Sequence, residues 1–297
     1  MPRRLIALLA LTGVLAACGT TENAATVNGV AVRAADLEQT VNDFVAVGET
    51  QIVDGAADGE TVRGLLTSLI RAEATNQVLA EAGESVTEAD RDEVRAQLAE
   101  QDTADFPQTL LDLIVELNAA TTALGRVKAP AADEVAARYA SNPKSLGMLC
   151  VRHLVVDDES TAKKARAELS DTATDADFAT VAGKYSIEPN ASETGGALKG
   201  QTGECISINE YQAGFDPDFV RGALEARPGV PSQPVKSSFG WHVIYVRPFT
   251  AVSESVSASL NGAAGEYLLL GALAVADISV ASRYGKWNPL SGQVVAP

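Results

Sequence analysis

Along the first half of the chain, apolar residues recur at the three- and four-residue spacing of helices. Leu37, Val41, Phe44 and Val45 predict a helix over 34–47. Leu65, Leu66, Leu69, Ile70, Val78 and Leu79 predict a long one over 61–82, ended by Gly83. Thr87-Glu-Ala-Asp90 supplies a side-chain cap and an acidic first turn, so the next helix opens there and runs to about Gln101. Phe106-Pro107 starts another, with Leu110, Leu111, Ile114, Leu117 and Leu124 on one face. Ala129-Pro130 breaks the pattern before a short helix over 131–139. Ahead of these helices, residues 25–32 read as a hairpin around Asn28-Gly29, the strongest short turn signal. Residues 48–59, rich in Gly and Asp, read as a loop.

The period changes after Asn142-Pro143. Residues 150–156 and 238–246 are β-branched and aromatic runs that alternate as strands do. Each carries one of the chain's two histidines, His153 and His242, among apolar neighbours. Taken alone, these are two unrelated core histidines, each satisfied by a backbone hydrogen bond. Between them lie helical segments over 159–169, 177–185 and 217–226. An amphipathic segment over 252–274 and a strand over 276–281 follow.

The order of short motifs between the histidines is more specific than either strand. Tyr185-Ser186 closes a helix and Gly195-Gly-Ala-Leu198 follows a polar loop. Phe215-Asp-Pro-Asp-Phe219 starts a helix, and Arg227-Pro-Gly-Val-Pro-Ser-Gln-Pro-Val235 leads to Phe239-Gly-Trp-His242. This order resembles the parvulin-type peptidyl-prolyl isomerase domain over roughly residues 148–249. The strand-then-helices pattern ahead of it resembles the N-terminal part of the SurA/PrsA family of exported foldases; a helical bundle with no binding role is the alternative there. The resemblance implies an α+β fold. A mostly helical chaperone-like domain accompanies a small antiparallel sheet surrounded by helices. It also implies that the C-terminal piece returns to the N-terminal one, so residues 276–281 are expected to pair with 25–32. The expected division is a leader over 1–18, a tether over 19–24, a helical part over 25–143, an isomerase domain over 144–249 and a returning segment over 250–297.

Carried residue by residue, the resemblance assigns roles. Leu198, Phe215 and Phe219 would line a cup for the proline ring, Phe215 standing where the family usually has Met. His153 and His242 would face each other beneath the substrate amide. Glu188, where the family has Asp or Cys, would sit near the substrate carbonyl. Ser237, where the family often has Thr, would be hydrogen-bonded into the histidine pair. The family's Gly-Gly-Asp-Leu-Gly is here Gly195-Gly-Ala-Leu-Lys199, and the segment after it is longer and carries Cys205. The implied activity is prolyl cis/trans isomerisation on unfolded or newly exported proline-containing chains. A holdase whose parvulin domain only binds clients is the alternative. Rotation about a peptide bond breaks no covalent bond, so no cofactor or metal is expected.

Composition and the N-terminus change the setting. Arg3-Arg4, the apolar run 5–15 and Leu15-Ala-Ala-Cys18 resemble a lipoprotein leader, with Cys18 as the lipidated residue. An ordinary secretory leader is the alternative. The implied localisation is extracytoplasmic, with a lipid anchor at the bacterial membrane. Past the first twenty residues, no segment reads as long and apolar enough to span a bilayer. The net charge of −16 argues against nucleic acid as a partner. With Cys18 lipidated, Cys150 and Cys205 remain as an even pair in an oxidising setting, so a disulfide is expected, two buried thiols being the alternative. No nucleophile elbow, Walker loop, dinucleotide fingerprint or close zinc-ligand spacing occurs. The acidic runs at 54–60 and 157–159 read as solvated loops.

Overall fold

The computed structural model describes residues 22–200 and 203–297. The expected leader, Cys18 and the start of the tether lie outside the described residues. The chain is α+β, with helices packed around small antiparallel sheets.

β1 (Asn23–Val27) and β2 (Val30–Arg33) form the expected hairpin. Asn28 and Gly29 both adopt positive φ, 51° and 82°, as a two-residue hairpin turn requires. Ala24 is fully buried, so the strand begins inside the stretch expected as tether. After α1 (Ala34–Ala46), residues 48–59 are more than a loop. β3 (Ile52–Val53) and β4 (Ala56–Ala57) pair around Asp54-Gly55 at φ 53° and 81°. The turn signal was present, but its flanks are too short to show alternation. α2 (Gly59–Glu81) is capped by the Asp58 carboxylate, which accepts from Thr61 N–H at 2.8 Å. α3 (Glu88–Leu98) opens on a reciprocal Thr87–Asp90 box, and α4 (Gln108–Leu124) and α5 (Ala132–Ser141) follow.

A single 3-10 turn at Pro143–Leu146 leads to β5 (Met148–Leu149) and β6 (Val151–Val156). Then come α6 (Glu159–Ala167), α7 (Asp175–Tyr185), α8 (Ala191–Thr194), β7 (Ile206–Ser207), α9 (Ile208–Gly214), α10 (Pro217–Glu225), β8 (Val235–Ser237) and β9 (Gly240–Val246). The strand expected over 238–246 begins only at Gly240, and the short β8 precedes it. Ser237 pairs with Gly240, so Ser238-Phe239 is a turn and Phe239 is 73% exposed. Gly240 is required there, because a Cβ would come within 2.6 Å of the Val156 carbonyl oxygen. The sheet order is β6-β9-β8, all antiparallel. One face, with Leu154, Val156, Val243 and Tyr245, packs on α6 and α7. The other, with Val151, Ile244 and Val246, packs on α9 and α10. β5 pairs with β7, and Cys150 and Cys205 beside them form a disulfide.

α11 (Phe249–Val275) is broken at Ala263, whose φ of −156° and ψ of 55° are not helical. By length and composition this helix could cross a membrane, contrary to the reading of the sequence. Its buried residues Val252, Val256 and Leu260 instead pack on Tyr139, Leu146 and Met148. β10 (Ile278–Val280) pairs with β1, Ala25 opposite Val280 and Val27 opposite Ile278. The last hairpin, β11 (Lys286–Asn288) and β12 (Gln293–Val295), was not expected. It docks on α2, where Val294 N–H donates to Thr67 Oγ1 at 2.9 Å.

Candidate active site

A strand sends alternate side chains to opposite faces. On β6 one face receives Val151, His153 and Val155; on β9 the same face receives His242, Ile244 and Val246. The register sets His153 opposite Ile244 and His242 opposite Val155, which makes the two histidines diagonal neighbours. Their Nδ1 atoms lie 3.2 Å apart and their rings are 20° from parallel. Both are buried, 6% and 4% exposed.

α10 covers this pair. Pro217 fits the first turn, and the Asp216 carboxylate caps it, accepting from Asp218 N–H at 2.9 Å. The same carboxylate accepts from Ser238 Oγ at 2.6 Å and Ser238 N–H at 3.1 Å. These donors, the Ser238 hydroxyl first, hold the Asp216 carboxyl down to about 2. The helix start is thereby tied to the β8–β9 turn. Phe219 then stands edge-on to both imidazoles, its centroid 5.3 Å from His153 and 5.1 Å from His242. Phe215 stacks on Phe219 at 5.6 Å, and Leu198 packs on the same cluster. The three expected apolar residues are therefore together, with buried Phe219 as the floor.

Leu198 is placed by the glycines before it. Its N–H donates to Val151 O at 2.9 Å, and His153 N–H donates to Gly196 O at 2.8 Å. Gly196 has φ 72°, and a Cβ there would lie 2.0 Å from the His153 carbonyl oxygen. Lys199, in place of a third glycine, does not adopt positive φ, so this departure does not strain the loop.

A polar chain runs through the pair. Ser186 Oγ accepts from Val155 N–H at 3.2 Å and Glu188 N–H at 3.3 Å, and Ile187 N–H donates to Val155 O. Residues 186–188 thus add to the free edge of β6. Glu188 Oε2 lies 3.2 Å from His153 Nε2, close enough for an ion pair but off the line of a hydrogen bond. The imidazole holds the Glu188 carboxyl below its ordinary range. An ionised Glu188 favours the proton on His153 Nε2. His153 Nδ1 then accepts from His242 Nδ1–H, and His242 Nε2 accepts from Ser237 Oγ–H at 2.7 Å. Phe239 N–H completes the chain by donating to Ser237 Oγ at 3.0 Å. Burial first, then the facing His153, pushes His242 down to about 4. His242 is thus neutral at pH 7. The arrangement can hold oriented polar groups, with a neutral His242 among them, beside an apolar cup.

Residues 153–248 match the family model described as "Rotamase: PPIC-type PPIASE domain". The chain carries a parvulin-type rotamase domain. It is 32% identical over 132 residues to "Foldase protein PrsA" of Clostridium kluyveri, covering 42% of this chain and 35% of that protein. It is 32% identical over 119 residues to "Foldase protein PrsA 4" of Bacillus cereus, 38% of each chain being covered. The matched stretch spans little more than a third of those relatives. Among solved structures, PrsA from Bacillus subtilis covers 88% of this chain and 95% of its own, at 18% identity and a TM-score of 0.30. A SurA-like chaperone of Campylobacter jejuni covers 82% and 92%, at 20% identity and 0.28.

The parvulin domain also holds a charged network on its other side that the sequence did not reveal. Arg152 grips Asp175 at 3.0 and 2.9 Å and donates to the carbonyls of Thr194 and Gly195 at 2.7 and 3.2 Å. Asp175 also accepts from Arg247 at 2.8 Å, and Arg247 reaches Glu204 at 2.8 Å, next to Cys205. Burial pushes the Asp175 carboxyl up, but the two guanidiniums outweigh it and hold it low. The network ties the glycine loop under Leu198 to the disulfide. Its members lie too far apart in sequence for any spacing signal. Asp216 was the legible omission, being a capping residue directly before a proline.

Proposed function

We propose that the protein is an extracytoplasmic peptidyl-prolyl cis/trans isomerase and chaperone that assists the folding of exported proteins. The observation that carries this reading is the Ser237–His242–His153–Glu188 chain beneath Phe219. Rotation of an X–Pro bond faces a barrier of about 20 kcal/mol because the amide is resonance-stabilised. A catalyst must hold the twisted amide better than either planar form. Phe219, Phe215 and Leu198 take the proline ring. His153 and His242, of which His242 is held neutral, offer a polar surface whose orientation is fixed before substrate arrives. Glu188 stands near the substrate carbonyl.

In this reading residues 144–249 act as the isomerase, while 25–143 with 250–297 hold unfolded or newly exported proline-containing chains. Residues 1–18 are a leader, and Cys18 carries the lipid that anchors the protein at the membrane. Because uncatalysed X–Pro isomerisation takes tens of seconds or longer, such an activity would shorten a slow folding step.

The test is two-dimensional NMR exchange on a proline-containing peptide. Cis–trans cross-peaks should grow with the protein, and Phe219→Ala and His153→Ala should each cut the exchange rate on the order of tenfold. No enhancement by a demonstrably folded protein would instead favour a holdase whose parvulin domain only binds.

A further inference from the structure

Away from the histidine pair, a cavity of about 600 Å³ lies between α2, α4 and the broken stretch of α11. That volume is in the range of small-ligand sites. Its walls include Leu117, Leu124, Val127 and Leu269, and Ala263, where α11 breaks, is among its lining residues. One cation, Arg71, lines it. Arg71 is half-buried, yet its guanidinium has no hydrogen bond or ion pair among the described residues. Burial lowers its pKa, and among the described residues no carboxylate counters that effect. Glu266 also lines the cavity but is itself exposed. By contrast, the buried Arg247 in the parvulin domain is matched by Asp175 and Glu204. A guanidinium partly withdrawn from water, with no counter-charge beside it, is less well solvated than a free one and is left open to an anionic partner. Such a fork is shaped for a planar carboxylate.

We infer that Arg71 and this cavity bind a carboxylate carried on an apolar peptide segment. A single positive charge matches a single carboxylate, and Glu266 nearby disfavours a dianion such as phosphate. The cavity walls take the apolar side chains beside the carboxylate. The inference does not depend on isomerase activity, since none of the histidine-site residues lines this cavity.

Calorimetric titration of the full chain would use three peptides. One is acetyl-Leu-Val-Ala-Leu with a free C-terminal carboxylate, the second its amide, and the third an amidated version with one internal Glu. At least one carboxylate peptide should bind at least tenfold more tightly than the plain amide, and the ratio of the two assigns the source. Arg71→Met should weaken that binding at least tenfold and raise the Tm of the free protein, because it removes an unpaired charge while keeping the stem. Arg71→Lys should fall between. Thr121→Trp, which narrows the cavity from an exposed lining position, should also lose binding. Equal affinity for acid and amide, no binding of any peptide, retained binding in Thr121→Trp, or a lower Tm in Arg71→Met would each overturn the inference.

Discussion

Two three-stranded antiparallel sheets in this chain have similar topology and different contents. In β10-β1-β2 and in β6-β9-β8, the central strand pairs with a hairpin neighbour on one side and with a strand remote in sequence on the other. The first buries Ala24, Ala25, Val27 and Val32, none of which carries a polar side chain. The second places His153, His242 and Ser237 within its buried face. An apolar pattern is enough to build either sheet. What separates them is that the second breaks the pattern only where a partner waits: Ser237 for His242, His242 for His153, Glu188 at the edge. Unpaired, each buried polar group would cost about 1–3 kcal/mol.

The largest way to break the comparison is to remove β10 and the tail. Truncation after Val275 takes away Ile278, Val280, Trp287 and Val294 from the core around β1. At about 1.5–3 kcal/mol for each large apolar side chain fully buried, reduced because three of the four are only partly so, the loss is about 5 kcal/mol. That is comparable to the whole stability of many domains. Hydrogen exchange should show protection lost at β1 and kept at β6. Loss at both would mean that the two sheets melt as one unit.

Next comes Asp175→Ala, which strips the buried Arg247 and the neighbouring Arg152 of their shared acid. Leaving a buried charge uncompensated costs about 4 kcal/mol. Urea unfolding of the parvulin domain should report it, and a shift under 1 kcal/mol would show that Glu204 alone suffices for Arg247. Opening the Cys150–Cys205 disulfide, 55 residues apart, should cost about 4 kcal/mol through the freedom returned to the unfolded chain. Denaturation with and without a reductant measures it. An unchanged midpoint would mean that β5–β7 pairing already restrains the segment.

These differences bear on what the sequence made legible. Helical spacing placed α1, α2 and α4, capping and proline signals placed α3 and α5, and Asn28-Gly29 placed the first hairpin because that turn demands positive φ. The β1–β10 pairing and the histidine site were read from resemblance; no local pattern links Ala25 to Val280. The Ser238-Phe239 turn was read as the start of the strand because Phe239, although exposed, looks like a strand residue. The Arg152–Asp175–Arg247 network was missed because charge pairing across three elements leaves no periodic trace. Within the site, residue types were legible, but the direction of hydrogen bonding was not. It depends on which ring nitrogen meets Ser237 and which meets the other imidazole.

The smallest effect, and the most specific to the polar sheet, is a slope with pH. His242 is held at about 4 in the folded chain against 6.5 as its ordinary value. Between those limits the unfolded chain binds a proton that the folded chain refuses, so stability must fall as pH drops from 6.5 towards 4. Below about 4 both forms are protonated and the contribution is fully lost. Glu188 and Asp216, which face the pair, have lowered pKa values, so their contribution is lost as pH falls from the ordinary carboxylate range towards those values. Urea midpoints at pH 7, 6, 5.5 and 5 therefore isolate the histidine. The wild-type midpoint should decline across this series more steeply than that of His242→Asn, which cannot titrate. The His242 imidazole stays neutral over the same range, so its contribution to exchange activity should stay level. Parallel slopes in the two proteins would remove the buried neutral histidine from the account. An activity loss centred near 6.5 would mean that His242 titrates like an exposed side chain despite its burial.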